Sequence, residues 1–245
     1  MSNKKEDILT AIEFLKNLGG IDKDFAMNEA FKHSNKEECL KTIENIEKIN
    51  EKIKLEKNRS NKGNLTLAKG KELEKLASQI LGVGNLYKIY SNIKCDSNEI
   101  DLLLSLASTG QSLSMFLPAE LKEDIIVECK NYNKKIDVTW TGKLYSLIKY
   151  KNVKTAILFS YLPLKGRNNW DSAKGLVKKL YLKDDVLIIN ITVDDVKKIL
   201  LEDYDPIKEK EYNNIISLIK SKIKDIKYHT DFSKFVQNHP AEWLD

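Results

Sequence analysis

The sequence predicts an α/β protein with a central mixed β-sheet flanked by helices and an N-terminal helical extension. From residue 65 onward, segments with helical and strand periodicity follow one another in the order α-β-β-β-α-β-α-β-α. Several strand segments, such as "TAILFS" and "VLIIN", are continuous apolar runs, which is typical of strands covered on both faces. Hydrophobic residues make up 42% of the 245 residues and charged residues 31%, which favours a folded, well-solvated chain over a disordered one.

The first 60 residues are predicted to be a helical extension. Residues 7–18 carry apolar side chains at helical spacing, and Ser34 and Glu37 have the spacing of a capping box that opens a second helix. That helix has a narrow apolar stripe, which would serve as a packing seam or a dimer seam. The extension could act as a dimer arm, a DNA-recognition element or a dock for a partner protein. Residues 58–64 are polar and contain a glycine, so they are predicted to be a linker.

The main domain is predicted to span residues 65–205. Segments with a period of about 3.6 residues are predicted helices, and apolar or β-branched runs between turn signals are predicted strands. The predicted helices lie at about 66–81, 139–150, 172–182 and 193–201, and the predicted strands at about 86–93, 99–106, 121–130, 155–160 and 186–190. Residues 206–245 are predicted to add one amphipathic helix that packs on this domain. The connection at about 107–119 is long, and it would carry specificity contacts or be a plain insertion.

Composition narrows the classes of function. The three cysteines are far apart and form no CxxC pair, which disfavours a zinc knuckle or a disulfide scaffold and fits a cytoplasmic protein. The three histidines are equally scattered, so His-based metal sites and catalytic triads have little support. Neither a signal peptide nor a membrane-spanning run is predicted. The net charge of +5 is compatible with a nucleic-acid partner but does not require one.

Two acidic residues lie where apolar strands are predicted. Asp101 is embedded in "EIDLLLSL", and Glu128 and Lys130 end the run "IIVECK". Because side chains alternate along a strand, Glu128 and Lys130 share one face. If the two strands are neighbours, Asp101 and Glu128 lie side by side and repel each other unless a cation lies between them. Mg²⁺ suits such a site, although Glu128 and Lys130 alone could be an ordinary surface ion pair.

Two further residues border this pair of strands. Glu74 lies at the edge of the inward stripe of the preceding helix, where it could reach the sheet end; taken alone it could be an ordinary exposed acid. Cys129 points to the opposite face from Lys130 and has no histidine near it in sequence, which disfavours a cysteine-dependent enzyme.

These residues resemble the motif of the PD-(D/E)xK nuclease superfamily, whose members share the restriction-endonuclease-like fold, and in particular its Mrr-like branch. The matching pieces are Gly70 to Glu74 at the helix, Ile100 to Leu102 on one strand, and Glu128 to Lys130 on the next. The later strand, helix, strand and helix also follow in the order of that family. The resemblance covers about residues 65–203, and a D…ExK pattern by itself would be weak.

The resemblance implies a metal-dependent DNA endonuclease of restriction or phage defence. Asp101 and Glu128 would bind Mg²⁺ or Mn²⁺, Glu74 would help to hold a second ion or its waters, and the backbone carbonyl of Cys129 would be a further ligand. Lys130 would position and help to deprotonate the attacking water and steady the charge that develops on the phosphate.

DNA contacts are expected around the same end of the sheet. Basic and aromatic side chains follow the motif, and the candidates are Lys134, Lys135, Trp140, Lys143, Lys165 and Arg167. Lysines and arginines there would bind phosphates, which position a duplex without reading its sequence. Double-stranded DNA is the expected substrate and a homodimer the expected assembly, because cutting both strands calls for two active sites. The alternatives are a nuclease for RNA or for modified or branched DNA, and a non-catalytic nucleic-acid-binding module.

Overall fold

The computed structural model describes residues 31–32, 35–94, 99–167, 169–201 and 214–228. In those ranges the chain forms one five-stranded sheet and seven α-helices. The helices are α1 (Lys36–Leu55), α2 (Arg59–Leu81), α3 (Ser108–Ser112), α4 (Val138–Lys151), α5 (Ser172–Asp184), α6 (Val193–Leu200) and α7 (Ile215–Lys227). The strands are β1 (Tyr87–Lys94), β2 (Glu99–Leu106), β3 (Ile125–Lys130), β4 (Thr155–Ser160) and β5 (Leu187–Thr192). The predicted α/β fold class with a central mixed sheet is confirmed.

The strands are ordered β1-β2-β3-β4-β5 across the sheet. The first three are antiparallel to one another, and β3, β4 and β5 are parallel. Crossovers between parallel strands are right-handed, and both crossovers step in the same direction, so α4 and α5 cover the same face. On one face, α5 contacts both α4 and α7. On the other, α2 lies against β2, β3 and β4, and α1 contacts both α2 and α6. The sheet is therefore covered on both faces, as its apolar strands require.

Helices α1 and α2 form an antiparallel hairpin. Its direction follows from three side-chain contacts between the helices, which pair Asn35 with Gln79, Asn45 with Glu72 and Asn50 with Lys69. On α1 the predicted stripe residues Ile43, Ile46 and Ile53 are buried. The stripe is thus a packing seam within the chain, since its central side chains lie in the same core as the sheet.

The predicted linker at 58–64 is wrong, because α2 already begins at Arg59. The side chain of Asn58 accepts hydrogen bonds from the backbone N–H groups of Ser60 and Asn61, and this cap stabilises a helix start in a stretch of low helix propensity. The predicted capping box depends on Ser34, which lies outside the described residues. Asn35 is the N-cap of α1, and its side chain makes no capping hydrogen bond.

The long connection after β2 lies at the end of the sheet opposite Asp101. It contains α3 and two 3-10 turns, and β3 starts at Ile125, four residues later than predicted. Gly110 permits the close approach of α3, since a Cβ there would lie 2.2 Å from the carbonyl oxygen of Leu86. The hydroxyl of Tyr87 donates to the carbonyl of Leu121 at 2.8 Å. The connection is therefore a packed structural insertion at a distance from the candidate site.

The predicted C-terminal helix is present as α7, which packs against α5 and β5. The predicted helix at 7–18 and the terminal stretch after residue 228 lie outside the described residues. Among the helices described above, none combines the length and the apolar character that a membrane span requires.

Candidate active site

Strands β2 and β3 separate at the sheet edge formed by the start of β2 and the ends of β3 and β4, called here the site edge. Their ladder runs from Leu104–Ile125 to Leu102–Val127, and one further step in this register puts Asp101 opposite Glu128. Directly opposed residues of an antiparallel pair point to the same face. Beyond the end of this ladder, the backbone N–H of Cys129 donates its hydrogen bond to a side chain of β2, to Oδ2 of Asp101 at 2.6 Å. The Asp101 carboxylate is thereby fixed in the gap between the two strands.

A cleft of about 520 Å³ opens at this gap. Its walls include Asp101, Cys129 and Lys130 from the two strands, with Glu74 from α2. Glu74 therefore reaches the sheet end, as the sequence predicts. The cleft is large enough for a phosphate group with its solvation shell.

Glu128 lies one register step from the Leu102–Val127 pair, opposite Asp101, but it faces a second cleft. It lines a smaller cleft of about 170 Å³ on the α4 face, together with Glu99, Trp140 and Lys143. Nζ of Lys130 donates to Oε1 of Glu128 and lies 4.5 Å from the centre of the Trp140 ring. Lys130 thus lines the first cleft, while its ammonium group contacts Glu128 and the Trp140 ring, which line the second.

The surroundings of Glu74, Asp101 and Glu128 disfavour the charged forms of these three acids. Burial raises the pKa of Glu74, Asp101 and Glu128, and for Glu74 and Glu128 the negative charge of Asp101 raises it further. The Cys129 N–H and the charge of Lys130 lower the pKa of Asp101 but do not offset its burial. A cation between these carboxylates would relieve both the repulsion and part of the desolvation cost.

The donor set fits a hard divalent cation. In the described part of the chain, no three His, Cys, Asp or Glu side chains are placed to hold one ion by themselves. Mg²⁺ does not need such a group, because it binds through one or two carboxylates and fills its other positions with water and phosphate oxygens. Asp101 and Glu128 on neighbouring strands can supply those two carboxylates.

The backbone carbonyl of Cys129 also points towards the gap. The N–H of Tyr161 donates to the carbonyl of Lys130 at 3.0 Å, so that carbonyl faces β4. Successive carbonyls of a strand face opposite neighbours, which turns the Cys129 carbonyl towards β2 and Asp101. Cys129 is half-buried, and desolvation raises the pKa of its thiol well above the usual value of a cysteine. A thiolate is therefore disfavoured there.

Glu99 was not among the sequence candidates, although it belongs to the same acidic cluster. It lies two residues before Asp101 on β2, and its charge raises the pKa of both Glu74 and Asp101. It also lines the smaller cleft beside Glu128. The two-residue alternation in "NEIDLL" places Glu99 on the face of Asp101 and was sufficient to predict it.

Lys69 was also missed, and it holds the segments around the site together. Its side chain is 1% exposed, and its ammonium group donates to Oδ1 of Asn50 at 2.8 Å and of Asn133 at 2.5 Å. It also lies 3.6 Å from the centre of the Tyr161 ring. These contacts join α1, α2 and the segments that follow β3 and β4. The signal in the sequence is that Lys69 continues the buried stripe of α2 one turn before Leu73.

A second contact ties α2 to the segment after β3. The side-chain amide of Asn131 donates to the carbonyl of Thr66 at 2.7 Å. Gly70 makes room for it, since a Cβ at this position would lie 3.2 Å from Nδ2 of Asn131. Because Asn131 directly follows Lys130, this contact sets the distance between the helix that carries Glu74 and the strand end.

We expect Lys69→Met to change how the stability of the protein depends on pH. Burial and the nearby charge of Lys54 lower the pKa of Lys69 to about 8, whereas a lysine in the unfolded chain titrates near pH ~10.4. Between these values the unfolded chain binds a proton that the folded chain lacks, so the contribution of Lys69 to stability rises with pH. In urea denaturation, the free energy of unfolding of the wild type should therefore rise relative to that of Lys69→Met between neutral and mildly alkaline pH. The expected relative rise is on the order of 2 kcal/mol.

The control is Lys41→Met, which removes an exposed lysine from α1. Its free energy of unfolding should run parallel to that of the wild type across the same pH range. If Lys69→Met also runs parallel to the wild type, Lys69 is not the strained, buried ammonium group described here.

The basic candidates for DNA contact surround the site edge. The side chains of Lys134, Lys135, Lys143, Lys165 and Arg167 are exposed. A bridge between Ile136 and Leu164 holds the segment after β3 beside the segment after β4. The positive charges at 134–135 and 165–167 therefore lie on two adjacent loops, beyond the strand that ends in Lys130.

Trp140 is placed differently from the basic residues. It is half-buried, Nζ of Lys130 and Nζ of Lys143 each lie 4.5 Å from its ring centre, and the Tyr132 ring lies 5.4 Å from it. These contacts give Trp140 a supporting role for Lys130 in the protein itself. Stacking of Trp140 on a base stays a prediction.

Comparison with known proteins gives no family for this chain. No family model matches it, and no curated protein or solved structure matches it significantly. The fold and the candidate site therefore define its class: an α/β protein in which two neighbouring strands of a mixed sheet present carboxylates and a lysine at one edge.

Proposed function

We propose that this protein is a metal-dependent endonuclease that hydrolyses phosphodiester bonds in double-stranded DNA, with the active site of a PD-(D/E)xK nuclease. The observation that carries the proposal is the meeting of Asp101, Glu128, Lys130 and Glu74 at the site edge. They come from β2, β3 and α2 and are separated by up to 56 positions in the sequence. Three acids whose repulsion Lys130 and the Cys129 N–H offset only in part, beside an open cleft, match the demands of phosphate chemistry better than those of stability.

Asp101 and Glu128 would bind Mg²⁺ or Mn²⁺, with the Cys129 carbonyl as a further oxygen ligand. Glu74 lines the larger cleft together with Asp101 and would hold waters of the ion or a second ion. When bound, such a cation neutralises charge on the attacked phosphate and favours formation of the nucleophile at neutral pH. The acids supply hard oxygen donors, which suit these cations better than softer ones.

Lys130 would act on the reacting atoms. In the hydrolysis a water oxygen forms a bond to phosphorus and gives up a proton, while one phosphorus–oxygen bond to the sugar breaks and its oxygen gains a proton. An ammonium group held at the site, as the contact with Glu128 holds it, can orient the water and stabilise the negative charge of the transition state.

The basic loops support a polyanionic substrate. Positive side chains at 134–135 and 165–167 flank the site edge, where they can bind phosphates on either side of the bond that is cut. Double-strand cleavage would need two such sites, so we propose that the protein acts as a homodimer. A role in restriction or phage defence rests on the family resemblance alone.

The test is an incubation of the wild type with duplex DNA, single-stranded DNA, methylated duplex and RNA, each with Mg²⁺, Mn²⁺ or EDTA. We expect cleavage of duplex DNA that requires a divalent cation. Cleavage of RNA alone, or of modified or branched DNA alone, would replace this function by the corresponding nuclease activity. Tight binding without cleavage of any substrate would favour a non-catalytic nucleic-acid-binding module and contradict the proposal.

A further inference from the structure

The end of the α1–α2 hairpin projects beyond the site edge. The first residues of α2, 59–68, are all exposed except Leu65, which is half-buried. Among the described residues, the hydrogen bonds and ring contacts of α2 with the segments after β3 and β4 come from Thr66 and Lys69. Residues 59–65, called here the hairpin tip, therefore extend past the sheet by roughly 10 Å, at about 1.5 Å per residue.

The hairpin tip lies next to the candidate active site. Thr66 and Leu67, which directly follow the tip, line the same cleft as Asp101 and Lys130. Leu67 is 69% exposed. A molecule that has a phosphate in this cleft would therefore meet the tip within one helical turn.

The exposed charge around the tip is mainly positive. Residues 57–71 contain four exposed basic side chains and no acidic one, and the carboxylate of the preceding Glu56 accepts a hydrogen bond from the Asn58 N–H. The remaining polar side chains of the tip are Ser60, Asn61 and Asn64. Arginine, lysine, asparagine and serine are among the side chains that hydrogen-bond to base edges in DNA. The partner that this composition fits is a nucleic acid.

Gly63 leaves one side of the tip without a side chain. A glycine inside a helix costs about 1 kcal/mol relative to alanine. Nothing in the described part of the chain requires one here, because a Cβ at position 63 would meet none of its atoms within 4 Å. Gly63 is one turn before Leu67, on the side of the helix that continues into the cleft. A smooth surface at this place suits the close approach of another molecule.

We propose that the hairpin tip enters the major groove of the DNA duplex whose phosphate lies in the cleft, and that it selects the positions that are cut. A helix with its side chains is about 10–12 Å across, and the major groove of B-DNA is about 12 Å wide. The same helix carries Glu74, so a tip docked in the groove also sets the position of that acid against the phosphate. This inference rests on the proposed nuclease function.

The test is Gly63→Tyr, which adds bulk where the protein itself has open space. Duplex cleavage at limiting protein concentration should fall at least about ten-fold, and duplex affinity in gel-shift titrations should weaken by a similar factor. The midpoint of thermal unfolding should not fall. The matched control is Leu182→Tyr, at the exposed end of α5 on the opposite edge of the sheet, which should cut like the wild type.

A second arm tests the groove. The double variant Asn61→Ala/Asn64→Ala should still cut duplex DNA but with a changed distribution of cut positions. Duplex DNA in which bulky groups on C5 of cytosine fill the major groove should resist the wild type. If the wild type cuts duplex DNA while Gly63→Tyr and the double variant cut it at the same rate and positions, the inference fails and the nuclease function stands. If the wild type cuts no duplex DNA, the nuclease function itself fails.

Discussion

Replacing Lys130 by methionine is expected to lower the rate of duplex cleavage by about 10³-fold or more while the protein stays folded. Methionine keeps an apolar stem against the Trp140 ring but removes the ammonium group that Glu128 contacts. The lost group acts on charge that develops only in the transition state, so the effect should fall on turnover and not on DNA affinity. Single-turnover cleavage and gel-shift titration separate the two quantities.

Lys143→Met is the matched control for this variant. Lys143 lies at the same 4.5 Å from the centre of the Trp140 ring, but in the described chain only Lys130 pairs with Glu128. We expect Lys143→Met to weaken DNA binding a few-fold and to leave turnover nearly intact. Equal losses of turnover in both variants would assign Lys130 to DNA binding instead of chemistry.

Asp101→Asn is expected to abolish cleavage and yet to stabilise the metal-free protein. Burial raises the pKa of Asp101, and its charge raises that of Glu128 and Glu74. Removing this charge relieves the repulsion, while an asparagine oxygen can still accept the hydrogen bond from the Cys129 N–H. In EDTA the midpoint of thermal unfolding should rise by a few degrees, which corresponds to about 1 kcal/mol in a protein of this size.

The pH dependence has the same origin. A carboxyl group whose pKa is raised by folding binds its proton more tightly in the folded state, so acidification towards that pKa stabilises the protein. In EDTA the wild type should therefore gain stability between neutral and mildly acidic pH, and the gain should shrink in Asp101→Asn. At neutral pH, Mg²⁺ should stabilise the wild type by on the order of 1–3 kcal/mol and the variant by much less.

The control for Asp101→Asn is Asp124→Asn, which neutralises an exposed aspartate just before β3, at the opposite end of the sheet. It should change neither the stability in EDTA nor the effect of Mg²⁺. The interpretation of the cluster would be wrong if Asp101→Asn melted below the wild type in EDTA, or if Mg²⁺ stabilised it as much as the wild type.

Much of the sheet could be predicted because its strands are marked by local pattern. The runs at 99–106 and 155–160 were predicted with the bounds that the structure has, since a turn signal stands beside each apolar run. The start of α2 could not be placed from propensity alone, because one capping side chain, Asn58, outweighs a glycine and two asparagines in the first turns.

The candidate site was predictable to the extent that it depends on strand geometry. The alternation of side chains and the pairing of two neighbouring strands are enough to bring Asp101 to Glu128 and Lys130. The contacts of Lys69 with Asn50, Asn133 and Tyr161 join segments as far apart as 111 positions, so no local pattern predicts them. The division of the site into two clefts, with Glu128 in the smaller one, likewise follows only from packing against α4.

The most direct test of a nuclease centre at the site edge is the cleavage of supercoiled plasmid in Mg²⁺ by the wild type, Asp101→Asn and Lys130→Met, prepared in parallel. The wild type should convert the plasmid to nicked and linear forms, EDTA should stop it, and both variants should leave the plasmid supercoiled. A wild type that leaves the plasmid intact in both Mg²⁺ and Mn²⁺, or variants that cut as fast as the wild type, would contradict the central claim.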